Sequence, residues 1–271
     1  MPSTSVLEAI GNTPLVQLRS VVPGGAARVF IKLEYYNLTG SYKDRMALST
    51  IEGAEREGKL RPGMRVVEYT GGSTGSSLAL VCAVKGYRFT PISSDAFARE
   101  KLDTMRAFGG ELMMVASDGG KINAELFACF REAVAREAAD PNVFWADQFN
   151  NPDVVEGYAA MGRELLAQLD SRIHAFCAAV GSGGMLVGVS RALKAGGCRL
   201  ASWRWSRRNR PFLLRDTRDR IAWKAWAWVS GRRIYSLATT TRSAPYQRPL
   251  PAPWRGDSLA RRAFSPAHRR G

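Results

Sequence analysis

The chain has 271 residues, enough to bury a large core in one or two domains. Its net charge of +15 would suggest a nucleic-acid or membrane binder, but residues 1–198 hold 21 basic and 21 acidic side chains, while residues 199–271 hold 18 and 3. The excess therefore belongs to the tail alone, and no apolar run approaches the roughly 18 residues that a membrane span needs.

Met1 to Asn12 has no basic segment followed by an apolar run, so no leader is expected. The four cysteines, Cys82, Cys129, Cys177 and Cys198, lack CxxC spacing and sit in apolar contexts. They read as small buried hydrophobes in a reducing compartment, and the protein is expected to be soluble and cytoplasmic.

The first clear strand is Val29 to Glu34, followed by a turn over Asn37 to Gly40. Ser41 then reads as the N-cap of a helix running to about Gly58. Lys43 falls in the first turn of that helix, where the positive end of the helix dipole opposes a cation. Burial would add to that effect and push the amine towards its neutral, nucleophilic form, the state a Schiff-base lysine needs. A surface lysine in a first turn is the other reading.

Strands and helices then alternate. Met64 to Tyr69 is a strand, Thr70 to Gly75 a loop, and a helix follows to Lys85. Tyr87 to Ser93, Glu111 to Val115, Val143 to Trp145 and Ile173 to Val180 are further strands. Helices are expected over Phe97 to Phe108, Ala124 to Glu137, Asp153 to Leu169 and from about Gly184 to Lys194. This alternation predicts an α/β fold with parallel sheets and helices on their faces, its ligand crevice at the carboxyl ends of the strands.

Two loops at such ends carry binding chemistry. Thr70-Gly71-Gly72-Ser73-Thr74-Gly75 gathers hydroxyls and backbone N–H groups at a helix start, which suits a carboxylate or a phosphate. Gly181-Ser182-Gly183-Gly184-Met185 has the same physics with more glycine and suits a phosphate. It is neither a Walker loop nor a G-x-G-x-x-G motif, because Leu186 takes the third glycine position. Each loop could also be an ordinary glycine turn. His174 and His268 are the only histidines, so a histidine triad or metal site is not supported, and Lys43 is the one acid/base candidate.

Thr39-Gly40-Ser41-Tyr42-Lys43-Asp44-Arg45, with Ile10-Gly11-Asn12-Thr13-Pro14-Leu15 ahead of it and the two loops behind, resembles the cysteine synthase family of pyridoxal-phosphate enzymes over residues 1–198. The resemblance implies fold-type II: a larger cofactor-binding domain from 1–37 and 148–198, incomplete here, and a smaller mobile α/β domain over 38–147, with the cofactor in the cleft. Lys43 would carry pyridoxal 5'-phosphate, and Gly181, Ser182, Gly183, Gly184 and Met185 would hold its phosphate. Thr70, Gly71, Gly72, Thr74 and Gln148 would bind the substrate carboxylate, with Ser73 beside the cofactor ring. Three positions depart from the family pattern: Gly71 stands for Ser, Ser73 for Asn and Met185 for Thr. The last removes one hydroxyl donor, a loss of about 0.5–1.5 kcal/mol.

The implied reaction is β-replacement: the freed Lys43 amine takes the α-proton of an activated serine such as O-acetylserine, acetate leaves, and sulfide adds to give cysteine. A serine or threonine dehydratase shares the lysine and the fold. The partners implied are a small amino acid, sulfide and a second copy of the chain, with no nucleic acid and no membrane.

Past Cys198 the composition changes. Residues 199–271 contain 17 Arg, one Lys, no Glu and six of the seven Trp, without helical or strand periodicity. A nucleic-acid arm would suit Arg with aromatics, but no motif or periodic face is visible. We read the tail as translation out of frame near codon 198; other frames of the gene should then restore family-like strands. The product is expected to aggregate or to bind the cofactor poorly, through an uncovered sheet edge, and a non-catalytic remnant is the alternative to an enzyme.

Overall fold

A computed structural model describes residues 4–23, 25–169, 173–205 and 211–214. Most of the Arg- and Trp-rich tail, and the out-of-frame reading that rests on it, lies outside the described residues. By contacts the chain divides into two units, of which the first contains residues 1–15 and 32–233 and the second residues 16–31 and the end of the chain. In the second, β1 (Leu15–Leu18) pairs with β2 (Val29–Lys32) as a two-stranded sheet.

The first unit holds the alternation. Its strands are β3 (Arg65–Tyr69), β4 (Arg88–Ser94), β5 (Met113–Val115), β6 (Val143–Trp145), β7 (Ala175–Ala179), β8 (Ala201–Trp205) and β9 (Pro211–Leu214). Its helices are α1 (Lys43–Arg56), α2 (Ser73–Lys85), α3 (Arg99–Ala107), α4 (Ala124–Glu137), α5 (Pro152–Gln168) and α6 (Gly184–Ala195). One sheet has the order β5-β4-β3-β6, with every pair parallel. Parallel neighbours need crossover connections, and the helices between the strands supply them.

Alternation along β3 sends its side chains to two cores. Val66 joins Met46 and Ile51 of α1 and Leu78 and Cys82 of α2, in a cluster continuing to Val154 and Tyr158 of α5 and Val189 and Leu193 of α6. Val67 and Tyr69 face the other way, onto Leu126, Phe130 and Val134 of α4. Two glycines let helices approach closely: a Cβ at Gly157 would come within 2.6 Å of the Arg45 carbonyl, and one at Gly188 within 2.3 Å of the Val155 carbonyl.

Two observations adjust the sequence reading. Cys82 and Cys198 are buried, but Cys129 and Cys177 are exposed, because they fall on the outer faces of α4 and β7. Regular structure also continues past Cys198: β8 pairs in parallel with β7, and β9 pairs antiparallel with β8. No helix among the described residues is long and apolar enough to cross a membrane.

Candidate active site

The turn before α1 is fixed by Asp44. Its buried carboxylate accepts the Thr39 N–H at 2.8 Å, the Thr39 hydroxyl, and the Ser77 hydroxyl of α2 at 2.6 Å. A carboxylate in a first helical turn also complements the helix dipole. Ser41, expected as the N-cap, lies one residue too early: Tyr42 takes that position without a side-chain cap bond, and the Ser41 hydroxyl instead accepts the Lys43 N–H at 3.1 Å. The Lys43 amine thus projects from a helix start held by Asp44 to Thr39 and Ser77.

Lys43 keeps some accessible surface along a cleft, but its amine lies deep, 5.2 Å from the centre of the Tyr42 ring and 5.9 Å from that of Tyr158. Desolvation dominates its titration and pulls the pKa down to about 8, against an opposing pull from the Glu68 carboxyl. Near neutral pH a usable fraction of the amine is therefore unprotonated.

The cleft that Lys43 lines is shared with Tyr42, Gly181, Ser182, Gly183 and Met185, so the structure joins the lysine to the later glycine loop. Gly183 adopts φ +89° at the start of α6, a left-handed conformation that glycine adopts without strain. A Cβ at Gly181 or Gly183 would meet nothing within 4 Å, so the backbone there is open to a ligand. Gly184 is different: a Cβ there would press on Val154 at 2.8 Å, which makes it a packing glycine.

Thr74 and Gln148 form a second cluster. The Thr74 hydroxyl donates to Gln148 Oε1 at 2.8 Å, and Gln148 Nε2 donates to the Tyr69 carbonyl at 3.3 Å. Thr70 Oγ1 accepts the Gly72 N–H at 3.3 Å, and Gly72 has open space where a Cβ would point. Ser73 begins α2 and is half-buried. Gly71 is packed: a Cβ there would fall 2.1–2.4 Å from atoms of the Phe97 ring. Phe97 in turn stacks on Phe130 at 6.1 Å, Phe130 on Tyr69 at 6.0 Å, and Tyr69 on Phe149 at 5.6 Å. This column runs from beneath Gly71 to the residue beside Gln148.

The column explains the absent serine at 71, whose site the Phe97 ring fills. Gly71→Ser is expected to destabilise the protein by about 1–3 kcal/mol through overpacking. Combining it with Phe97→Ala should recover part of that loss, and a double-mutant cycle by urea denaturation measures the coupling.

Sequence reasoning missed Asp44 and Glu68 as functional neighbours. Asp44 stood inside the singled-out heptapeptide but gave no hint of its partners. Glu68 had a signal, since it is the one carboxylate within the strand Val66-Val67-Glu68-Tyr69.

The fold and site together place a desolvated lysine in an α/β frame, in the same cleft as a glycine-rich loop at a strand end. The family model described as pyridoxal-phosphate dependent enzyme matches residues 6–204, and the chain belongs to that family. The match extends a few residues beyond Cys198, into β8. Cysteine synthase of Staphylococcus aureus (strain Mu50) is 41% identical over 196 residues, covering 71% of this chain and 61% of that protein. Cysteine synthase B of Salmonella typhimurium is 39% identical over 188 residues, covering 69% and 60%. The chain thus spans about three fifths of the length of these relatives. Among solved structures, cysteine synthase from Entamoeba histolytica gives a TM-score of 0.66 at 32% identity, covering 72% of this chain and 58% of that one. O-ureido-L-serine synthase gives 0.65 at 33%, covering 74% and 63%.

The residues present fit the cofactor. A lysine with a lowered pKa is what an aldehyde requires, and the open space beside Gly181 and Gly183 at the start of α6 leaves room for its phosphate.

Proposed function

We propose that this chain, with pyridoxal 5'-phosphate, catalyses β-replacement on an activated serine such as O-acetylserine, with sulfide as the incoming nucleophile and cysteine and acetate as products. The observation that carries this reading is the Lys43 amine, held at about 8 in the same cleft as Gly181, Ser182 and Gly183. The bound cofactor would supply the electron sink for the negative charge that develops at the α-carbon. Lys43 takes the α-proton. Backbone N–H groups of Gly181 to Gly184, with the Ser182 hydroxyl, hold the phosphate, and Met185 bounds the cleft on that side.

The substrate carboxylate goes to the 70–75 loop and Gln148. Thr74 and Gln148 already hold one another there, which lowers the cost of ordering them on binding. Ser73, at the start of α2, serves the ring side of the cofactor. Residues 1–37 with 148–198 act as the cofactor-binding part and 38–147 as a smaller, mobile part. A homodimer and a cytoplasmic setting complete the reading; the four cysteines are free, which supports the latter.

The test compares O-acetylserine plus sulfide with serine alone on the purified protein supplied with pyridoxal phosphate. Cysteine formed only in the first mixture supports the proposal. Pyruvate and ammonia from serine would point to a dehydratase, and absence of any visible absorbance from a lysine-bound cofactor would mark a non-catalytic remnant.

A further inference from the structure

Once it has taken a proton, Lys43 is an ammonium in a cleft that offers it no fixed counter-ion. Among the described residues its amine has no ion pair and no hydrogen bond. The charges next to it on α1 are committed elsewhere: Asp44 accepts from Thr39 and Ser77, and Arg45 is held between Glu34 and Glu164. Glu68 acts on the amine from β3, but burial pushes that carboxyl up to about 8, so at neutral pH it is mostly uncharged.

What does stand beside the amine is aromatic. It lies 5.2 Å from the centre of the Tyr42 ring and 5.9 Å from that of Tyr158, both within the roughly 6 Å over which a ring face attracts a cation. The two rings are themselves neighbours, with centres 5.7 Å apart and planes tilted by 53°, so they make two walls of one slot. The second wall is rigid. Tyr158 of α5 is fully buried, and the first turns of α6 close on it: a Cβ at Gly184 would come within 3.4 Å of its ring, and one at Gly188 within 2.8 Å of its Cβ. Its hydroxyl, by contrast, is buried without a hydrogen-bond partner among the described residues. The ring has its contacts, and the hydroxyl can be removed without breaking a bond.

We propose that Tyr42 and Tyr158 are positioning residues that hold the Lys43 ammonium against their ring faces while it carries the proton it has taken from the substrate. The inference rests on the reading of Lys43 as the reacting amine. The Lys43 lone pair takes the proton, the C–H electron pair stays behind at the α-carbon, and the positive charge formed at Nζ meets the negative faces of the two rings. Held there, the amine stays in the cleft it shares with Gly181 to Gly183.

The experiment measures the rate at which cyanate carbamylates Lys43, read by peptide mass spectrometry on the full chain without cofactor. Tyr158→Phe keeps the ring and should label within about twofold of the wild-type rate at pH 7; a larger change would assign the effect to the hydroxyl and overturn the proposal. A trifluorinated phenylalanine in place of Tyr158 keeps the shape of Phe but weakens the ring face. It should free more of the neutral amine and label about threefold or more faster than Tyr158→Phe at pH 7, and the two rates should converge at about pH 10.5, where the amine is neutral in both. Equal rates at pH 7, or a difference that persists at high pH and so reports altered access, overturn the proposal. Should the fluorinated ring not be accommodated at 158, the same pair of replacements at the half-buried Tyr42 decides by the same outcomes. Pyridoxal phosphate uptake is followed separately. Uptake without the fluorine effect overturns this inference and leaves the proposed activity standing, and the fluorine effect without uptake does the reverse.

Discussion

Lys43→Ala is expected to abolish the visible absorbance of lysine-bound pyridoxal phosphate and to lower turnover by about 10²–10⁴-fold or more, the range for a positioned acid/base group. The same substitution should change how stability depends on pH. The Lys43 amine titrates at about 8 in the folded protein. A lysine in the unfolded chain titrates at about 10.4, so between those values the unfolded state binds more protons and wild-type stability rises with pH. The cost of the desolvated amine is fully present below pH 8. Alanine removes it, and the stability difference between the two proteins should therefore shift across this window and level off outside it. Urea denaturation at pH 7 and at pH 10.5 measures that shift. An unchanged difference would show that the amine is as well solvated in the folded protein as in the unfolded chain.

The second large effect is expected at Arg45. Its guanidinium donates to both Glu34 oxygens, at 2.7 and 2.9 Å, and to both Glu164 oxygens, at 2.6 and 2.8 Å. The side chain is only 3% exposed. Glu164 also holds Lys32 at 2.7 Å and accepts the Asn12 N–H at 2.9 Å, so one ion cluster ties the IGNTPL segment, α1 and α5 together. Arg45→Met would leave two partly buried carboxylates facing each other without their shared cation. A loss of about 3–5 kcal/mol is expected, the range for breaking a buried pair by removing one partner.

Burial alone would raise the Glu164 carboxyl, but the hydrogen bonds from Arg45, Lys32 and Asn12 outweigh it and hold the pKa at about 2. A free glutamate titrates at about 4.3, so this contribution is complete above that pH and is lost as pH falls towards 2. Wild type should lose stability steeply over that acid range and Arg45→Met less steeply. Denaturation midpoints at pH 6 and pH 3 check this. Equal slopes would mean that the cluster does not hold Glu164 ionised.

Much of the fold was legible because a parallel sheet writes its period into the chain. The helix α4 and the strand β6 fell on the residues expected, since Asn123 caps one and apolar Val143-Phe144-Trp145 marks the other. Ends slipped by a residue or two where a loop carries the same residue types as the element, as at Pro152, which opens α5 one residue early. Cys129 and Cys177 were misplaced because their flanking sequence is apolar on both sides and the period does not say which face meets solvent.

The residues by themselves determined the family and the motifs on which the proposed chemistry rests. A lysine at a helix start and two glycine loops at strand ends are local patterns, produced by turn and helix-cap requirements that neighbouring residues satisfy. What needed the tertiary structure was every relation across long sequence separations. Only folding brings Gly181–Gly183 to the cleft of Lys43, sets Thr74 against Gln148, and packs the Phe97 ring beneath Gly71. These depend on which face of a strand or helix meets which neighbour, and that is decided by packing, since no stretch of sequence contains both sides of the contact.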